Sequence, residues 1–221
     1  YNCDNSSLLS EIIPNDELIY SVIGQGTAAT YTPVGWVGSL VELYPGKGYW
    51  VKSNSNGNFS FDCPAYSEQS RIYVETPLID YAQSTQQAFY FFQNIPEIEI
   101  GDITESYNGE ILIGSRAWAG SYTDVPVMGV DFQSETQGYI AESEVPTFRL
   151  VKQNGGILNI VTDIPAFYNN GIYIIESADA VEVTPDEFML LNAYPNPFNP
   201  RTRINFEVPI QSRVSIEIFN V

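Results

Sequence analysis

The sequence predicts an all-β protein, and three observations support this fold class. Tyr (15 residues) and Phe (12 residues) are abundant whereas Met occurs only twice, and aromatic and β-branched side chains favour strands because they pack well on a pleated surface. The chain also contains 16 Gly and 14 Pro residues, the residue types that form tight turns. These turns recur about every eight to twelve residues, a spacing typical of β-sandwiches and barrels.

The first predicted domain is a small β module over residues 1–66. Its clearest signal is "YPGKGYWVK" (44–52), in which the Pro-Gly pair indicates a turn. We expect a strand after this turn. Because side chains alternate along a strand, Tyr49 and Trp50 are predicted to point to opposite faces.

The chain has two cysteines, Cys3 and Cys63, which lie at the two ends of this module. An even cysteine count in a Tyr-rich β protein favours one disulfide, formed in an oxidising compartment. The alternative is a pair of free buried thiols. A disulfide between the two would close a loop of about sixty residues and stabilise the module by roughly 4 kcal/mol.

The second predicted domain is a β-sandwich of jelly-roll or Greek-key type over residues 67–178. Two nearly continuous apolar runs, "FYFFQNI" (89–95) and "IYIIES" (172–177), are typical of central strands that are buried on both faces. The predicted strands, each bounded by turn residues, are "QQAFYFFQNI" (86–95), "EILIGSRAWAG" (110–120), "PTFRLVKQNG" (146–155), "GILNIVTDI" (156–164) and "NGIYIIESA" (170–178).

The charge of the chain limits its partners. Acidic residues outnumber basic ones 27 to 9, for a net charge of −18, so the surface repels phosphate backbones and anionic lipids and we expect no nucleic acid partner. No apolar run reaches the ~18 residues of a membrane span, and we expect no membrane insertion. The chain contains no His, which excludes Ser-His-Asp and Cys-His nucleophile systems and His-ligated zinc.

Loop carboxylates suggest calcium as the one candidate cofactor, because hard cations take Asp, Glu and carbonyl oxygens from loops. The stretches "GDITESYNGE" (101–110) and "TDVPVMGVDFQSE" (123–135) are predicted as loops, although neither matches an EF-hand. Glycoside hydrolysis also needs two carboxyls, but no pair has a recognisable acid–base motif, so we expect no enzyme. The candidate calcium ligands are Asp102, Glu105, Asp124 and Asp131.

The three tryptophans are candidates for glycan stacking, because sugar rings stack on flat aromatic faces. They are Trp36, Trp50 and Trp118. The alternative is that they belong to the core, as most aromatic residues in small β domains do.

Several stretches of the first two domains resemble a pair of β modules found together in large secreted proteins of Gram-negative bacteria. Those proteins end in a type IX secretion sorting domain. The resemblance implies a location outside the cell and no particular activity. The stretches are "GWVGSLVELYPGKGYWVK" (35–52), "QSTQQAFYFFQNI" (83–95), "GDITESYNGEILIGSRAWAGSYTDVPVMG" (101–129), "TQGYI" (136–140) and "VPTFRL" (145–150).

The third predicted domain, residues 179–221, contains the stretch "LLNAYPNPFNPRTRINFEVP" (190–209), in which three prolines fall within residues 194–200. This stretch resembles the start of the type IX (Por) secretion system C-terminal sorting domain. The resemblance implies an Ig-like fold and export by the type IX machinery. Residues before proline adopt extended backbone, so the Pro-rich part is predicted to be a stiff connector that leads into a strand. The matching residues are Leu191, Asn192, Tyr194, Pro195, Asn196, Pro197, Phe198, Asn199, Pro200, Thr202, Ile204 and Phe206.

Sorting domains of this family continue through further strands, whereas this chain stops at Val221. We therefore expect either a fragment of a longer protein or a chain whose remaining strands are disordered or removed. An unfinished sheet would leave residues 214–219 as an open edge for pairing with another chain.

Together these features predict a non-catalytic, secreted or cell-surface structural or interaction protein of a Gram-negative bacterium. We expect it to self-assemble into an extracellular polymer or surface layer. Its expected partners are other copies of itself, cell-surface components and the type IX export machinery. The alternatives are a carbohydrate-binding module, or an accessory C-terminal part of a larger secreted hydrolase.

Overall fold

A computed structural model describes most of the chain, and within the described residues the protein is almost entirely β-structure. The described residues are 1, 3–4, 6–14, 18–63, 81–182, 188–190, 193, 202–204, 206–210 and 212–217.

The strands follow one another along the chain with short connections. The first six are β1 (Ser7–Leu8), β2 (Ile19–Ile23), β3 (Ala28–Thr32), β4 (Gly35–Val37), β5 (Glu42–Leu43) and β6 (Trp50–Ser53). The next eight are β7 (Gln87–Phe92), β8 (Ile103–Asn108), β9 (Ile111–Ala117), β10 (Thr123–Met128), β11 (Thr147–Val151), β12 (Ile157–Val161), β13 (Ile172–Ile175) and β14 (Asp179–Glu182). The remaining elements are β15 (Met189–Leu190), β16 (Phe206–Glu207), helix α1 (Leu9–Ile12) and a 3-10 helix (Ser134–Thr136).

Three sheets form most of the fold. Their strand orders are β4-β3-β2-β6, β10-β7-β13 and β14-β12-β11-β8-β9. Strand β13 joins β7 in parallel, whereas β10 pairs with β7 in the antiparallel sense. Two small sheets, β1-β5 and β15-β16, complete the described structure.

Strand β7, the central strand of the three-stranded sheet, is buried on both faces and has apolar side chains at every position after its first. Phe89 and Phe91 share a core with Ile23 and Ala28 of the four-stranded sheet. On the opposite face, the ring of Tyr90 lies 5.2 Å from that of Phe148 in the five-stranded sheet. This layering confirms the predicted all-β sandwich.

The two apolar runs differ in their surroundings. All six residues of β7 are buried, as expected for "FYFFQNI". The expectation of two buried faces is wrong for "IYIIES", because β13 lies at the edge of its sheet and Ile174 is 46% exposed. An apolar run alone does not distinguish a central strand from an edge strand.

The two stretches predicted as calcium-binding loops instead contain strands β8 and β10, and the loop predictions are wrong there. Their polar residues are buried and hydrogen-bonded: Ser106 Oγ donates to the Pro126 carbonyl oxygen at 2.7 Å. Pro126 does not argue against a strand, because β10 is an edge strand of its sheet and proline is tolerated at edges.

Side chains rather than a further strand cover the free edge of β10. The carbonyl of Pro126 accepts from Ser106, and that of Asp124 accepts from Arg116 Nε at 2.9 Å. Gly114 of β9 permits this close approach, since a Cβ at that position would lie 1.8 Å from the Pro126 carbonyl oxygen. The three-stranded and five-stranded sheets therefore meet at a closed corner, which protects the edge.

A separate small core lies on the other face of the four-stranded sheet. Leu9 and Ile12 of α1 pack there with Val22 of β2 and Ala29 of β3. The four-stranded sheet is thus covered on both faces, by α1 on one side and by β7 on the other.

The chain divides into two compact units, Tyr1–Val181 and Glu182–Val221. The first unit contains strands from both segments predicted as the first two domains. In the second unit, β15 pairs antiparallel with β16, with Leu190 opposite Phe206. Within the described residues, no helix is long and apolar enough to cross a membrane.

Candidate functional site

A buried polar site joins the two β segments of the first unit, of which the first contains strands β1–β6 and the second begins with β7. Asp124 of β10 is 2% exposed, and its Oδ2 accepts a hydrogen bond of 2.6 Å from Ser39 Oγ. Arg116 Nη2 lies 3.3 Å from the same oxygen and donates to the Gly26 carbonyl at 2.7 Å. One ion pair therefore links β9 and β10 to two loops of the first segment. We call this site the junction, and it consists of Arg116, Asp124, Ser39, Gly26 and Gln87.

Gln87 at the start of β7 provides the second link of the junction. Its Oε1 accepts from Gly26 N at 3.0 Å, and its Nε2 donates to the Gly24 carbonyl at 2.9 Å. The Gln87 side chain thus satisfies both a donor and an acceptor of the turn between β2 and β3. A buried amide that is paired in this way fixes the turn in one orientation.

Burial raises the pKa of the Asp124 carboxyl, while the Arg116 guanidinium and the Ser39 hydroxyl act to lower it. A buried carboxyl with a raised pKa can act as a general acid or base. In this fold its Oδ2 contacts Arg116 and Ser39. We interpret Asp124 as the centre of a structural contact.

Asp102 belongs to a second ion pair, with Lys152 at the end of β11. Lys152 Nζ lies 2.7 Å from Asp102 Oδ2, and Gln153 N donates to Asp102 Oδ1 at 3.0 Å. Burial acts to raise the pKa of Asp102, but the hydrogen bonds from Lys152, Glu99 N and Gln153 N outweigh it and hold this pKa below its ordinary value. The pair fastens the turn before β8 to the β11–β12 hairpin.

Asp131 organises the loop after β10. Its carboxylate accepts from Thr85 N (3.0 Å), Gln133 N (2.9 Å) and Thr136 Oγ1 (2.7 Å). Burial acts to raise the pKa of Asp131, but these donors, first among them Thr85 N, hold it far below its ordinary value. Glu105 of β8 is also engaged, since its Oε2 accepts from Tyr107 Oη at 2.6 Å.

The structure does not gather the four candidate calcium ligands into one site. Each accepts hydrogen bonds from different partners, and two of them face a cationic side chain. Across the part of the chain that the structure describes, no three Asp, Glu, His or Cys side chains are grouped so that they could hold a metal ion. The geometry therefore gives the calcium prediction no support.

The three tryptophans lie in different surroundings. Trp118 is 6% exposed and belongs to the large core between the sheets. Trp36 is partly buried, and its Nε1 donates to the Ile13 carbonyl at 2.6 Å. Trp50 is 52% exposed at the edge strand β6, whereas the adjacent Tyr49 packs against the core. Of the three, Trp50 best presents its ring to a ligand.

Cys3 and Cys63 form the predicted disulfide, with Cα atoms 5.5 Å apart and a sequence separation of 60. The rings of Tyr1 and Phe61 are stacked, with their centroids 5.7 Å apart. Both residues lie close in sequence to the bridged cysteines. The N-terminal amine also donates to the Lys47 carbonyl at 2.9 Å. The bridge and the ring contact fasten the two ends of the first segment to each other, and the amine holds Tyr1 to the turn before β6.

Most of the predicted sorting motif lies outside the described residues, namely Leu191, Asn192 and residues 194–200. Thr202, Ile204 and Phe206 are described, and Phe206 begins β16. Phe206 is 43% exposed and Leu190, its cross-strand partner, is 73% exposed.

The sequence reasoning missed the junction, and in particular Arg116, Ser39 and Gln87. Arg116 offers one usable signal: it is one of only nine basic residues, and it stands in a stretch predicted to be a strand. A buried arginine requires a partner, so an ion pair is expected there. The sequence has no comparable signal for Ser39, which contacts a residue 85 positions away.

The fold and these contacts define the chain as an all-β sandwich protein with a disulfide and an internal polar junction. Comparison with family models, with curated proteins and with solved structures yields no match.

Proposed function

We propose that the chain is a non-catalytic structural or interaction protein, secreted or held at the cell surface of a Gram-negative bacterium, that associates with copies of itself. The observation that carries this proposal is the Cys3–Cys63 disulfide. Structural disulfides persist in oxidising compartments and are rare in the cytosol. The resemblance of residues 190–221 to a type IX sorting domain supplies the route of export.

The use of the buried acidic side chains supports a structural role. The Asp102–Lys152 pair joins elements that are distant in the sequence. The Asp124–Arg116 pair is linked to the distant Gly26 carbonyl by a hydrogen bond from Arg116. Asp131 holds a loop through backbone and hydroxyl donors. Carboxylates that form ion pairs and hydrogen bonds with other parts of the chain in this way stabilise the fold.

Exposed apolar side chains in the second unit support self-association. Among the described residues of this unit, seven large apolar side chains are at least 40% exposed. Exposed apolar surface of this kind marks interaction sites. The residues are Phe188, Met189, Leu190, Phe206, Ile210, Val214 and Ile216.

Sedimentation velocity on the purified chain over a wide concentration range tests the self-association. We expect the weight-average mass to rise with concentration towards defined oligomers. A constant monomer mass at every concentration would contradict the proposal.

Replacement of residues 194–200 by alanine tests the export route, in a Gram-negative bacterium that has the type IX machinery and expresses the chain behind a secretion leader. We expect the variant to be lost from the cell surface and medium and to accumulate in the periplasm. Ser215→Ala, which leaves the motif intact, is the control. Equal export of the variant and the control would exclude the type IX route.

The exposed ring of Trp50 favours glycan binding as a second candidate function. If it stacks on sugars, a polysaccharide should quench the tryptophan fluorescence of the wild type and leave that of Trp50→Ala unchanged. Absence of quenching across a broad polysaccharide panel would remove this candidate.

A further inference from the structure

Residues 212–217, with the sequence Ser-Arg-Val-Ser-Ile-Glu, are the best-suited segment for pairing between copies of the chain. All six residues are exposed, and they form no strand with the described residues. Val214 is 46% exposed and Ile216 is 51% exposed. A short exposed segment with two β-branched residues is a template for pairing with a further strand.

The segment is complementary to itself in charge and in shape. When two copies pair in the antiparallel sense about Ser215, Arg213 of each copy lies opposite Glu217 of the other. In the same register Val214 lies opposite Ile216. Because side chains alternate along a strand, the two ion pairs share one face and the two apolar pairs share the other.

Two edge strands of the first unit, β14 and β10, lack this complementarity. The edge strand β14 begins with Asp179 and ends with Glu182, so two copies would bring acidic side chains together. The edge of β10 is covered by Ser106 and Arg116. The chain as a whole has a net charge of −18, but residues 212–217 contain one Arg and one Glu and are neutral overall. Two copies can therefore attract each other at this segment.

We propose that two copies of the chain join through residues 213–217 as an antiparallel pair of strands with Ser215 at the two-fold axis. This inference rests on the proposed self-association and names the surface and the register. The pairing is an isologous contact, in which the same residues contribute from both sides. A pair of five-residue strands buries less than the ~1,200 Å² interface of a stable dimer, so the contact is weak and depends on protein concentration.

Cross-linking tests the register in the full-length chain. In the proposed register the two copies of position 215 lie opposite each other, about 5 Å apart at Cα, whereas the two copies of position 214 are offset beyond the ~7 Å reach of a disulfide. We expect mild oxidation to link Ser215→Cys chains into dimers on a non-reducing gel, and to link Val214→Cys chains several-fold less. Equal linking at both positions, or linking at neither, would overturn the register.

Charge exchange tests the contact independently. Arg213→Glu alone and Glu217→Arg alone each place like charges opposite each other, and we expect about tenfold weaker dimerisation or more by sedimentation equilibrium. An equimolar mixture of these two variants restores opposite charges in every pair, and so does the double variant R213E/E217R, so both should dimerise as the wild type does. A merely structural role of either side chain does not produce this recovery.

Circular dichroism spectra of the variants that match the wild-type spectrum confirm that their fold is intact. If the wild type forms oligomers and the charge variants dimerise equally well, the register is wrong while the proposed self-association stands. If the wild type remains a monomer at every concentration, both proposals fail.

Discussion

Arg116 and Asp124 contact each other twice. Arg116 Nε donates to the Asp124 carbonyl oxygen at 2.9 Å, and its Nη2 lies 3.3 Å from the Asp124 carboxylate. The first contact covers the free edge of β10, and the second neutralises a carboxylate that is 2% exposed. The same arginine reaches the Gly26 carbonyl, so one side chain connects the two β segments of the first unit.

We expect Arg116→Ala to destabilise the first unit by about 3 kcal/mol, because it leaves a buried carboxylate without its cation. Urea unfolding monitored by tryptophan fluorescence measures the loss in the free energy of unfolding. Glu110→Ala is the matched control: the Glu110 side chain is 53% exposed and lies 3.4 Å from Arg149, so the loss there should stay below about 1 kcal/mol. Equal losses in both variants would argue against a structural junction at Arg116.

Gly114→Ala should destabilise the protein by about 1–3 kcal/mol or more, because the new methyl group would meet the Pro126 carbonyl oxygen at 1.8 Å and force β9 away from β10. Gly48→Ala is the control, since a Cβ there meets no atom within 4 Å. Thermal unfolding of the two variants compares them directly. A Gly114→Ala protein as stable as Gly48→Ala would show that β9 and β10 do not approach each other so closely.

Replacement of both Cys3 and Cys63 by serine should lower the free energy of unfolding by about 4 kcal/mol, because the bridge closes a long loop in the unfolded chain. Urea unfolding measures this loss. Mass spectrometry gives an independent check, as reduction should add about two mass units to the wild type and none to the variant. No mass change in the wild type would mean that the bridge is absent.

The Asp102–Lys152 pair should contribute stability between mildly acidic and moderately alkaline pH. The pKa of Asp102 is lowered in the fold, so its contribution is present above the ordinary value of 3.8 and is lost as the pH falls through the folded pKa. The pKa of Lys152 is raised, chiefly by the Asp102 hydrogen bond, so its contribution is present below 10.5 and is lost as the pH rises through the folded pKa.

Asp102→Asn should therefore reduce the free energy of unfolding at pH 7, and the difference from the wild type should shrink as the pH falls below about 4. Urea unfolding at a series of pH values measures this difference. A difference that stays constant down to pH 2 would mean that the ionised carboxylate is not the stabilising form.

Local patterns were sufficient for many elements of the fold. The five predicted strands correspond to β7, β9, β11, β12 and β13. The turns "YPGKG" and "NGG" lie where Pro and Gly indicate them, with Gly46 and Gly155 at positive φ. Such signals are readable because they depend on neighbouring residues only.

Strands β8 and β10 show where local patterns are insufficient. Their sequences, "ITESYN" and "TDVPVM", contain polar residues and a proline and are typical of loops. They are strands because other sheets bury them and satisfy their polar groups, as when Ser106 donates to the Pro126 carbonyl. Burial by a distant partner overrides weak β-propensity.

The sequence by itself determined the all-β class and the alternation that separates Tyr49 from Trp50, and it favoured a disulfide between the two cysteines, which the structure confirms. Tertiary structure alone decided which tryptophan is exposed and that Asp124 meets Arg116 and Ser39. The physical reason is that strand period and turn chemistry are local properties of the chain, whereas burial and ion pairing depend on which distant segments pack together.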